Sequence, residues 1–173
     1  MDKIAPIISN PFKKLGNRTD DVIEKGEFGA VMARAGVGKT AILVQLALNA
    51  MMRDQRVLHI SLNDPVTKVG LWYKETFNNI AEQNNVRDTR LIWESILPYR
   101  FIMTFKVEGF SVPKLEERLT DLIEQNIFAP DLVIIDGLPF EGEMRSVLSE
   151  LKMLAQTRRM RIWLTVTTHR HEE

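Results

Sequence analysis

The chain has 173 residues, enough for about one domain with a sizeable core, and its 23 Lys plus Arg offset 23 Asp plus Glu to a formal net charge of zero. That balance excludes a global field gathering nucleic acid, so a nucleic-acid partner is possible but not supported by net charge. The absence of cysteine excludes disulfides and thiolate metal sites, and neither a bilayer-spanning run nor a signal-peptide pattern is present, so the expectation is a soluble, cytoplasmic protein with no membrane partner.

Residues 1–27 mix polar and turn-forming residues (Pro6, Pro11, Gly16, Gly26) and read as a lead-in packed on a single domain at 28–173. Phe28–Ala33 is an apolar run of strand length. After a glycine-containing loop, residues 41–52 are rich in helix formers and apolar almost all round, which predicts deep burial. Residues 56–62 alternate with β-branched content as a second strand, and Asp64-Pro65 breaks it to begin a helix running to about 82. A polar loop follows at 84–88, then a third strand at 99–105. Ser111 can cap a helix that places Leu115, Leu119, Leu122 and Ile123 on one face. Residues 131–136 read as a buried strand ending in a carboxylate. From Met144, the stripe Val147, Leu148, Leu151, Leu154 and Ala155 marks another helix, and Arg161–Thr167 closes as a fifth strand. Alternating strands and helices, with strands apolar on both faces, predict an α/β fold: three layers, α/β/α, around a mostly parallel five-stranded sheet.

The loop after the first strand reads Ala33-Arg-Ala-Gly-Val-Gly-Lys-Thr40, one glycine short of the pattern G-x-x-x-x-G-K-[ST]. Gly36 and Gly38 let the backbone curl so that its N–H groups face a polyphosphate. Lys39 supplies a mobile point charge, Thr40 a hydroxyl for Mg²⁺, and the following helix a positive N-terminal end. The nucleotide-binding residues read from this pattern are Ala35, Gly36, Val37, Gly38, Lys39, Thr40 and Ala41. Asp136, ending an apolar strand, is the second metal-holding residue beside Thr40. Parallel sheets bind ligands at the carboxyl ends of their strands, where the glycine loop, Asn63-Asp64, Asp136 and Thr168-His169-Arg170 are all expected to converge. Arg158, Arg159 and Arg161 form the one tight basic cluster and fit a helix C-terminus. Trp72, Tyr73 and Trp93 fall at helix-type positions that suit the core better than a base platform. His59 and His171 carry no site argument.

These motifs together resemble the RecA-like branch of phosphate-loop NTPases, near the cores of DnaB-type helicases and KaiC-type ATPases, over roughly residues 15–170. In that branch the loop often begins with alanine, as Ala33 does. Ser61-Leu-Asn-Asp64 lies where the family has Ser-Leu-Glu, 131–136 matches its aspartate-terminated strand, and Leu151-Lys-Met-Leu-Ala155 with Thr165-Val-Thr-Thr-His169-Arg170 resembles its γ-phosphate sensor region. The resemblance implies ATP and Mg²⁺ as ligands, with Asp64, Asn63 and His169 as candidate catalytic residues. It also departs from the family twice. Asn63 stands at the position of the water-polarising glutamate and cannot accept a proton; Asp64 could replace it only if the strand has already ended. The family's further strands, DNA-contacting loop and arginine finger are not in this sequence. Arg34-Ala-Gly-Val-Gly-Lys-Thr40 and Leu62-Asn-Asp-Pro65 are also similar to ParA/MinD-type ATPases, with Arg34 in place of a lysine whose role needs a compact ammonium. The expected function is an ATP-dependent switch or regulatory subunit with weak or absent hydrolysis, acting as a homo-oligomer or with a protein partner. The alternatives are an oligomeric DNA-processing ATPase using Asp64 as base and a neighbour's Arg170, or a ParA/MinD-like dimerising ATPase.

Overall fold

Short, largely apolar runs form the strands β1 (Phe28–Ala33), β2 (Val57–Ser61), β3 (Arg100–Thr104), β4 (Leu132–Pro139) and β5 (Arg161–Thr167). Between them run α1 (Lys39–Met52), α2 (Val66–Gln83), α3 (Thr89–Ile96), α4 (Val112–Glu124) and α5 (Met144–Arg158). The computed structural model describes residues 22–34, 36, 38–139, 142 and 144–168. The lead-in expected at 1–27 therefore lies outside the described residues up to 21. Its last part packs on the domain: Val22 and Ile23 join the core, and the Gly26 N–H donates to the Met160 carbonyl at 2.9 Å.

The five strands are all parallel, in the order β1-β5-β4-β2-β3. From β1 to β2 and on to β3 the chain moves one way across the sheet; from β3 to β4 and then β5 it moves back. Right-handed crossovers require helices of opposite travel to lie on opposite faces. The core divides accordingly. Leu43, Leu48 and Met51 of α1, Tyr73 and Phe77 of α2 and Ile96 of α3 pack with Val57, Leu132, Ile134 and Trp163. On the other face, Leu115 and Leu119 of α4 and Leu151 and Leu154 of α5 pack with Leu58, Ile60, Val133, Ile135, Ile162 and Leu164. The result is a three-layer α/β arrangement with helices on both faces, and the period-two alternation within each strand assigns its side chains to one layer or the other.

α1 carries apolar residues nearly all round because it lies against the sheet on one side and α2 on the other, burying the run Leu46–Met52 entirely. Ser111 caps α4 as its position predicts, accepting a hydrogen bond from the Lys114 N–H at 3.3 Å. The basic cluster does sit at the end of α5: Arg158 donates to Thr120 Oγ1 at 2.6 Å and Arg161 to the Ile23 carbonyl at 2.9 Å. Gly29 is required by a close approach, since a Cβ there would strike the Trp163 indole across the β1–β5 seam.

Two features differ from the sequence expectations. α3 has no counterpart among the predicted elements; it is eight residues long, too short to be stable alone, and forms because Ile96 is buried and Trp93 meets the Phe77 ring at 5.2 Å. β4 does not stop at Asp136. It runs on to Pro139 through an irregularity between Ile135 and Leu138, where Gly137 has φ +101°. A bulge of this kind re-aims the side chain beside it, and that side chain is Asp136.

Candidate functional site

Parallel pairing sets the site. Ser61 is in register with Asp136, and both point, with His59 and Thr165, to the α1 side of the sheet. β2 and β4 are neighbours whose following helices, α2 and α5, go to opposite faces, which opens a crevice at their carboxyl ends. The glycine loop enters α1 beside that crevice. Gly36 and Gly38 have φ of +81° and +82°, and a Cβ on either would meet no described atom within 4 Å. These glycines serve the backbone path and the open space in front of it, not internal packing. No side chain caps α1 at Gly38, so the helix presents uncapped N–H groups there.

Lys39 is only 9% exposed, and its ammonium donates to the Ala33 carbonyl at 2.9 Å and the Arg34 carbonyl at 2.8 Å. One cation thus spans the loop from its last residues to its first. Thr40, the next residue, directs its hydroxyl to Asp136, 96 positions away, at 3.0 Å from Oδ2 and 3.2 Å from Oδ1. Asp136 also accepts from the Thr165 hydroxyl at 2.6 Å, and Thr165 in turn accepts from the Gly137 N–H at 2.8 Å. His59, fully buried, places Nε2 3.7 Å from Asp136 Oδ2, a contact longer than a hydrogen bond.

Burial alone would push the Asp136 carboxyl upward, but His59 beside it and the Thr165 and Thr40 hydroxyls outweigh burial and hold it below the usual carboxylate range. The sign for stability follows: a carboxylate with a depressed folded value stabilises the fold above about pH 4, and that contribution is lost as pH falls through the lower folded value. Asp136→Asn is therefore expected to be less stable than the wild type at neutral pH, with the gap narrowing steadily in denaturant melts taken from pH 4 downward. A gap that is constant with pH would mean that Asp136 gains nothing from its neighbours.

An ionised carboxylate and a hydroxyl at one point suit Mg²⁺, which takes hard oxygen donors and uses one or two carboxylates along with phosphate oxygens. Among the described residues no group of three His, Cys, Asp or Glu could hold a metal by itself. Thr40 and Asp136 supply oxygen donors at one point, leaving the other positions around an ion to be filled from outside the protein.

Of the residues expected at this edge, Gly36, Gly38, Lys39, Thr40 and Asp136 come together. Ala41 is exposed on the first turn of α1 and, with Thr40, Val44, Trp72 and Thr76, lines a cleft of about 290 Å³. Ala35, Val37, His169 and Arg170 lie outside the described residues. β2 ends at Ser61, so the strand has indeed finished before Asn63 and Asp64. The exposed Asn63 side chain lies over Gly137, directly beside Asp136, where a Cβ on residue 137 would collide with it. Asp64 behaves differently: its N–H donates to Ser61 Oγ at 3.0 Å, and its carboxylate accepts from Lys68 at 2.7 Å at the start of α2. Tyr73 is fully buried, while Trp72 and Trp93 are both half-buried, Trp93 packed on Phe77.

His59 and Tyr73 are the site neighbours that sequence reasoning missed, and Thr165 entered it only as the start of the sensor-like run. Polar residues at inward positions of otherwise apolar strands were the available signal for His59 and Thr165. No protein-family model matches this chain, and no curated protein is significantly similar to it in sequence. No helix among the described residues is long and apolar enough to cross a membrane.

Proposed function

We propose that this chain is a RecA-like phosphate-loop protein that binds ATP with Mg²⁺ and acts as a nucleotide-dependent switch or regulatory subunit with weak or absent hydrolysis. The observation that carries this reading is the Thr40–Asp136 hydrogen bond, which joins the glycine loop to the aspartate strand beside a buried, loop-spanning lysine. Lys39 and the first N–H groups of α1 would bind the phosphates, while Thr40 and Asp136 would hold the ion. The ion's contribution when bound is to neutralise phosphate charge and bridge oxygens of the tail.

Weak hydrolysis follows from two side chains. Asn63 lies over Gly137, the residue after Asp136, and its amide cannot take a proton from water. Asp64, the nearest acid in sequence, has its carboxylate engaged by Lys68. What would change on binding is the order of the loop and of the strand ends that a partner then reads. Steady-state phosphate release, measured over a range of protein concentrations with and without DNA, tests the reading. Turnover is expected to stay below about 1 per second in every condition, since ordinary enzymes run at or above that rate. Stimulation above it by DNA or by self-association would replace the switch with a motor.

A further inference from the structure

A buried polar chain runs away from Asp136 into the α1 side of the core. His59 Nδ1 lies 2.7 Å from the Tyr73 hydroxyl, and the two rings meet edge to face at 5.4 Å. His59 Nε2 faces Asp136 Oδ2 and has no hydrogen-bond partner among the described residues. The carboxylate decides the tautomer. An ionised Asp136 is acceptor-only, so a lone pair on Nε2 would face it repulsively; Nε2 must carry the proton. In the neutral ring Nδ1 then accepts, and the Tyr73 hydroxyl donates. Burial drives the Tyr73 phenol well above its ordinary value, so that donor keeps its proton.

We propose that His59, locked by Tyr73, is a positioning residue that orients the Asp136 carboxylate for its metal ion, an inference that rests on the nucleotide reading above. A histidine filling space in the core has no need of an unpaired, buried N–H, which is costly to leave unmade. Here that N–H points at a ligating oxygen and lacks less than an ångström of reaching it. Thr165 fixes Oδ1 at 2.6 Å, and His59 Nε2 stands a short shift from Oδ2, the oxygen that Thr40 would release on turning to an ion. Donors behind metal-binding side chains commonly change metal affinity 10–100-fold.

The test is a Mg²⁺ titration of ATP binding to the full chain, with a parallel ATP titration in EDTA. His59→Leu is expected to raise the Mg²⁺ concentration for half-maximal binding about tenfold, and Tyr73→Phe, which removes one oxygen and spares the packing, about threefold. His59→Gln, whose amide N–H can take the place of Nε2–H, should return toward the wild type. Affinity in EDTA should be the same in all four proteins. An unchanged Mg²⁺ midpoint in Tyr73→Phe and His59→Leu, or an equal loss of affinity with and without Mg²⁺, overturns the positioning role. Tyr73→Phe keeps the test open should His59→Leu fail to fold. Wild-type protein that binds no ATP at all overturns the nucleotide reading itself, and this inference with it.

Discussion

Lys39→Ala is expected to weaken ATP binding on the order of 100-fold, the loss of one or two charge-assisted hydrogen bonds at about 1.5–3 kcal/mol each. The lysine is placed for that effect. It is nearly buried, and its ammonium reaches the carbonyls at the far end of the same loop. A phosphate tail entering the loop would meet this charge with little water to screen it. Removing the side chain also deletes both carbonyl contacts, so some loss of loop order comes with the loss of charge. Lys39→Arg separates the two: it keeps the charge but replaces a compact ammonium with a planar fork, and should rescue little affinity. The measurement is a calorimetric ATP titration at fixed Mg²⁺. Equal Kd for wild type and Lys39→Ala would end the nucleotide reading.

The second large effect concerns hydrolysis. Asn63→Glu is expected to raise steady-state phosphate release, by as much as about 10²–10⁴-fold, the range over which a positioned general base acts. The position is favourable because residue 63 is exposed at the mouth of the crevice and already lies over Gly137, next to Asp136. Glutamate is one methylene longer, and the open side of the crevice leaves it room. The cost is a second carboxylate near the first, which a bound divalent ion would offset. If phosphate release does not rise, the absent base is not what holds turnover down. Asn63→Gln, which has the length without the charge, is the control.

Most of the fold was legible in the chain because both faces of the sheet are covered: the strands are short apolar runs, α4 and α5 show their stripes, and α1 is apolar almost all round. The glycine loop and Asp136 stood out for a different reason, since their residue types fit a fixed pattern, and the structure brings Thr40 and Asp136 into contact. The helix at Thr89–Ile96 was not, because its stability comes from partners in α2 rather than from its own eight residues. His59 was hidden for a similar cause. Its neighbours along β2 say only that it is inside; the register with β4 and the passage of α2 overhead bring it to Asp136. The bulge at Gly137 is a third case. A glycine after an aspartate reads equally well as a turn, and only pairing with β5 reveals that the strand continues.

β1 hydrogen-bonds to one neighbour among the described residues, β5, so the strand that delivers the glycine loop hangs from a single seam. The aspartate strand, by contrast, is clamped on both flanks. Displacing the loop-bearing strand breaks one ladder of hydrogen bonds, whereas displacing the aspartate strand breaks two, so β1 is expected to yield before β4 does.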